Sequence, residues 1–157
     1  MSAARSTPAP AEPSATAMPA AASDSAPGGP PAVGLPAPAG SKQQELSNQA
    51  RASGHLGPLA WNACLAAVAA RHAAEMAGAL RIYHGDGVQR DLACGLGTGR
   101  SAENVGVTSG GADDRRIFTA FMQSPGHRAN IMGPYRYVGT AWVMAPNGTG
   151  YIAVEFG

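Results

Sequence analysis

The chain is poor in charge, in lysine and in aromatic rings. Charged residues make up 13% of its 157 positions, the formal net charge is +1, and Lys42 is the single lysine beside ten arginines. A balance this near neutral argues against a nucleic-acid partner, which calls for a broad basic face. Long hydrophobic runs are missing as well. The most apolar stretch, 59–80, is interrupted by Arg71, His72 and Glu75, which suits a helix of a globular domain and not a transmembrane segment. After Met1 no apolar run of signal-peptide length follows. Cysteine is equally scarce. Cys64 and Cys94 are the only two, and without a Cys-x-x-Cys pair they make a structural zinc site improbable.

What is present is unevenly spread. Nine of the 13 prolines and 13 alanines fall within residues 1–40, together with two acids and no aromatic residue. Such a segment buries too little apolar surface to offset chain entropy, so 1–40 reads as a disordered, partly extended Pro/Ala-rich linker and 41–157 as one compact domain. Linkers of this kind often tether exported domains. A true start upstream of Met1, export by a non-standard route and a cytoplasmic location all stay open at this point.

Within the domain, Ser41 followed by Gln44 and Glu45 predicts a capped polar helix ending at Gly54, its few apolar positions placing it on the surface. From Trp61 to about Gly78, Leu65, Val68, Ala69, His72, Ala73 and Met76 recur at steps of three and four, a strong helical pattern whose many alanines permit close approach to a sheet or a second helix. Glycine-dense 85–102 reads as loop. Asp113 and Asp114 precede Ile117, Phe118, Phe121 and Met122, which predicts a helix with acids in its first turn. Ser124-Pro125 starts a short helix that Gly133-Pro134 ends. Residues 137–144 and 151–156 read as strands, joined through Asn147-Gly148 in a hairpin. Helices first and a hairpin last predict an α+β domain.

Four histidines and one carboxylate carry the chemistry open to this chain. His72 lies on the apolar face of its helix, where a satisfied core histidine is the plainer role, and His55 sits in an exposed turn. His84, Glu103 and His127 match no local metal motif by spacing. The glycine run 95–99 lacks the lysine and helix of a phosphate cradle, and no Gly-x-Ser-x-Gly elbow occurs. Cys64 and Cys94 admit a disulfide in an oxidising compartment, worth about 3–4 kcal/mol on the loop-entropy model, or two unrelated thiols.

Several segments occur in a familiar order: Asn48-Gln49-Ala50-Arg51, Pro58-Leu59-Ala60-Trp61, Glu75-Met76-Ala77, His84, Ala102-Glu103-Asn104-Val105-Gly106, Ser124-Pro125-Gly126-His127-Arg128-Ala129-Asn130-Ile131 and Tyr137-Val138-Gly139. Together they resemble the bacterial branch of the CAP superfamily, also called the SCP domain, named for cysteine-rich secretory, antigen 5 and pathogenesis-related 1 proteins. The resemblance implies a three-layer α-β-α sandwich with a small antiparallel sheet, and a cleft where the family places two histidines and two glutamates. His84 matches the first histidine, Glu103 the first glutamate and His127 the second histidine. The second glutamate has no counterpart, since no acid lies between Asp114 and Glu155.

Two imidazoles and a carboxylate suit a divalent ion, zinc by ligand type, with His84, Glu103 and His127 as the ligand set. Alternatively Glu103 orients one imidazole with no metal, or the trio merely ties a loop to the short helix. Asn104 is expected to fix the backbone nearby and Arg128 to neutralise Glu103 or a bound anion. The expected function is an exported binding module of the cell envelope or exterior, taking a divalent ion and a small or lipidic ligand. The alternatives are a peptidase-like hydrolase in which Glu103 or a metal activates water, and a structural envelope domain.

Overall fold

The structure is a computed structural model that describes residues 40–157. The expected linker, but for Gly40, lies outside the described residues. Helix α1 (Lys42–Ser53) begins at Ser41, whose hydroxyl accepts from the Gln44 amide at 3.1 Å, and closes at Gly54. Its expected surface position is corrected by what it buries: Gln43, Ser47 and Arg51 are enclosed beside Leu46. The helix docks through hydrogen bonds where apolar side chains are few. Gln43 donates to the Asp114 carbonyl and carboxylate. Arg51, 4% exposed, donates to the carbonyls of Gly57, Ile131, Gly133 and Tyr135 at 2.7–3.2 Å. Asn48 holds both the amide and the carbonyl of Leu59.

Trp61 does not open the second helix. It ends a short strand, β1 (Ala60–Trp61), and Asn62 caps helix α2 (Ala63–Ala79) by accepting from the Leu65 amide at 3.0 Å. The apolar pattern runs back through Trp61, but the cap chemistry of Asn62 decides the boundary. Leu80 terminates α2 in the left-handed region, φ +52°. A short helix α3 (Gly87–Ala93) then occupies part of the stretch expected as loop. Strand β2 (Ala102–Thr108), helices α4 (Asp114–Gln123) and α5 (Pro125–Ile131), and strands β3 (Tyr137–Met144) and β4 (Gly150–Phe156) complete the order. Asp113 caps α4 through the Arg116 amide. Ser124 occupies the cap position of α5 with Pro125 behind it, although its hydroxyl makes no capping bond.

The sheet runs β1-β3-β4-β2. β3 and β4 form the expected hairpin, β2 pairs antiparallel with β4, and β1 adds a short parallel edge to β3. Alternation along β4 divides the interior. Ile152, Val154 and Phe156 join Leu59, Ile117, Phe121, Ile131 and Val138 on the face covered by α4 and α5. Tyr151 and Ala153 join Val105 and the Ala69, Ala73, Met76 and Ala77 stripe of α2 on the other. The domain is thus an α+β, three-layer α-β-α sandwich. Small residues set the spacing of the second face: a Cβ on Gly139 of β3 would stand 2.0 Å from the backbone nitrogen of Ala66, so α2 lies directly on the strand. Cys64 in the first turn of α2 is bonded to Cys94 at the end of α3, with Cα atoms 5.8 Å apart. That bridge ties the glycine-rich stretch to the helix.

Candidate functional site

Strand β2 presents Glu103 and Val105 to the α2 side and Asn104 to the α5 side, by the two-residue period of a strand. Glu103 is buried. One carboxylate oxygen accepts from Nδ1 of His72, a wholly enclosed residue of α2, and the other accepts from Nδ1 of His84 at 2.9 Å. His84 follows the left-handed end of α2 and its side chain is 63% exposed. One carboxylate therefore joins an interior imidazole to a surface one. Donation from Nδ1 leaves Nε2 of His84 with its lone pair outward.

His127 arrives on α5. Its carbonyl accepts from the Asn104 side chain at 3.0 Å, and Asn130 donates to the Asn104 carboxamide and to the Glu103 carbonyl at 2.9 and 3.2 Å. These bonds set α5 against β2. The His127 ring lies 5.0 Å from Phe121 and 6.5 Å from His84, centroid to centroid. Burial, then the neighbouring His84, lowers the pKa of His127, which favours the neutral, ligating form. His84, Glu103 and His127 thus share one region, with His84 bonded to Glu103 and the His127 ring beside that of His84 at a 40° tilt. Asn104 donates to the His127 main chain from a strand, where a loop position was expected. Arg128 is exposed, and the ion pairs of Glu103 among the described residues are with His72 and His84.

Two interior groups escaped sequence reasoning. His72 serves Glu103 where a plain core role was expected. Glu155, on β4, stands in direct register with Glu103 across the β2–β4 pairing. Glu155 is 0% exposed, no N–H or hydroxyl donor reaches either of its oxygens, and its polar neighbours are the carboxyls of Glu103 and Asp91. Burial pushes its pKa up to about 10, aided by the charges of Asp91 and Glu103. Asp91, on α3, is buried and pushed up to about 6, mainly by burial, against the hydrogen bond Ser101 donates to it. A lone acid in the otherwise apolar run 150–156 was the available signal for Glu155.

Two surface hollows share no residue with this cluster. One of about 530 Å³ runs along α1 from Gly40 to Asn48. The other, about 400 Å³, is lined by Leu96, Thr98, Arg100, Arg136 and Tyr137 among others.

The model of one family, the cysteine-rich secretory protein family or CAP, matches residues 44–156. No curated protein matches the chain. Solved structures of like fold include an outer surface protein from Borrelia burgdorferi, 20% identical over 73% of this chain and 87% of that one, TM-score 0.60. A cysteine-rich secretory protein from Staphylococcus aureus is 23% identical over 73% of this chain and 36% of that one, TM-score 0.58. An extracellular protein containing an SCP domain from Bacillus anthracis is 20% identical over 73% and 38% respectively, TM-score 0.60. This chain therefore spans little more than a third of the last two. At these identities the likeness is one of fold.

Proposed function

The chain belongs to the cysteine-rich secretory protein family, and we propose that it is an exported binding module whose His84–His127 pair takes a divalent ion. Zinc suits two imidazoles best, with open positions left for water or for a small or lipidic ligand. The observation that carries this reading is the bond from His84 Nδ1 to Glu103 at 2.9 Å. A carboxylate on one ring nitrogen turns the other toward a metal and raises its basicity. Glu103 then acts as the orienting group, because both its oxygens are engaged by imidazoles. The same engagement argues against hydrolysis: neither oxygen is free to take a proton from water.

Export is supported by the Cys64–Cys94 bridge, which persists in oxidising compartments. The names of the three structural relatives point the same way: outer surface, secretory and extracellular. No helix among the described residues is long and apolar enough to cross a membrane.

Zinc titration of the full chain tests the reading. Wild type binds the ion, and His84→Ala and His127→Ala each weaken binding at least about 10-fold, with Glu103→Gln losing about 10–100-fold through misorientation. Equal zinc affinity in wild type and both histidine variants overturns it. Sterol or fatty-acid extraction from vesicles, with and without zinc, then asks whether the ligand is lipidic.

A further inference from the structure

Behind the exposed imidazoles, the interior holds more acid than its surroundings can balance. Glu103, Glu155 and Asp91 are all buried and adjacent: the charge of Glu103 bears on Asp91, and the charges of Asp91 and Glu103 both bear on Glu155. No N–H or hydroxyl donor reaches either oxygen of Glu155 or the second oxygen of Asp91, and the polar groups these carboxyls face are one another and Glu103. His72 is the sole imidazole enclosed with them, 1% exposed. Buried carboxylates left in this state destabilise a fold unless protons or a cation answer them.

We infer that His72, Glu103 and Glu155 form an interior site for a divalent cation, which shares Glu103 with the His84–His127 reading but needs neither of those imidazoles. One ligand atom from each of the three residues lies within 4.8 Å of the others. Zinc bonds of about 2.0–2.2 Å set ligands about 3.3 Å apart, so the widest pair closes by no more than about 1.5 Å. The ion takes the place of the proton that His72 Nδ1 donates to Glu103 and of the proton that Glu155 carries in metal-free protein, and both protons leave to solvent as it binds. Glu103 serves both places without conflict, since its second oxygen keeps His84. One imidazole with two carboxylates suits Zn²⁺ or Mn²⁺ over the softer copper and the all-oxygen cages of calcium. Asp91, on α3, adds negative potential beside the ligands without joining them. The ion would bind α2, β2 and β4 to one another, behind the exposed His84.

The test uses the full chain, stripped with a chelator, reloaded with Zn²⁺ alone and desalted before the metal is counted by mass spectrometry. His127→Ala removes the outer pair, so the metal it retains reports the interior. One ion per chain is expected in His127→Ala, with a rise in Tm on reloading, and both vanish in His127→Ala/Glu155→Gln. Glutamine keeps the shape of Glu155, and the Tm of the stripped double variant establishes that it folds. X-ray absorption on zinc-loaded His127→Ala gives a second readout, with one imidazole and the remaining ligands oxygen. No retained metal in His127→Ala, retention unchanged by Glu155→Gln, or two imidazoles in the absorption spectrum each overturns the interior site. Loss of metal between wild type and His127→Ala bears only on the outer pair, so the two readings fail separately.

Discussion

The two faces of the sheet solve the same packing problem in opposite ways. Toward α4 and α5 the interior is made of large apolar side chains: Leu59, Ile117, Phe121, Ile131, Ile152 and Phe156. Its buried polar side chains have partners: Asn104 bonds to His127 and Asn130, and Thr140 to Ser41. Toward α2 alanines outnumber the larger Met76, Val105 and Tyr151, with His72, Glu103, Glu155 and Asp91 enclosed near them and several of their atoms without a donor or acceptor. One face holds the fold together by volume. The other gains room for ionisable groups from the close approach of α2 at Gly139, and it pays in stability. Places where a protein leaves buried polar groups unsatisfied are where function is to be sought.

The largest effect expected from breaking this contrast is on the apolar face. Phe121→Ala removes a ring 2% exposed and lowers stability by about 4 kcal/mol, read from urea unfolding. The loosened His127 would also weaken zinc binding. A loss under about 1 kcal/mol would mean that the face tolerates collapse.

The opposite sign is expected on the other face, in metal-free protein. The folded pKa of Glu155, about 10, lies above its ordinary 4.5, so folding takes up a proton wherever the unfolded chain has released it. Stability is then greatest below about pH 4.5 as far as this group is concerned, and falls as pH rises between the two values. Glu155→Gln removes that slope and stabilises the chelated protein at about pH 7 by about 2 kcal/mol. A Tm profile against pH identical in the variant and wild type would place the titration elsewhere.

The smallest effect concerns Ser101, whose hydroxyl donates to Asp91. Ser101→Ala costs about 1 kcal/mol near pH 7 and raises the pKa of Asp91 further, since the hydrogen bond now holds it down. Carboxylate NMR titration measures the shift directly, and an unmoved Asp91 would show the bond to be immaterial.

Much of the fold was legible because local chemistry agreed with the outcome. Asn147-Gly148 marked the hairpin, Ser124-Pro125 the start of α5, and Asp113 the start of α4. Strand β2 was not legible. Residues 102–108 are enclosed on both faces over most of their length, so no alternation of apolar and polar residues exposes the strand period. Helix α3 is too short, and too rich in neighbouring glycine, for an apolar stripe to stand out.

The site divides in the same manner. His84, Glu103 and His127 were recognisable through the family motif and not through spacing. The roles of His72 and Glu155 follow from tertiary facts, the docking of α2 and the β2–β4 register that sets Glu103 opposite Glu155. Only the acid standing alone among the apolar residues of β4 hinted at the second of them.

Arg51 shows how α1 is secured against acid. Its guanidinium is answered by four main-chain oxygens and by no carboxylate, and those oxygens do not change charge when the medium is acidified. Burial lowers its pKa, yet an arginine stays cationic throughout the range in which Asp and Glu titrate. The clasp between α1 and the 131–135 turn therefore outlasts the ion pairs of the surface, and in acid unfolding α1 should be among the last segments to exchange its amide hydrogens.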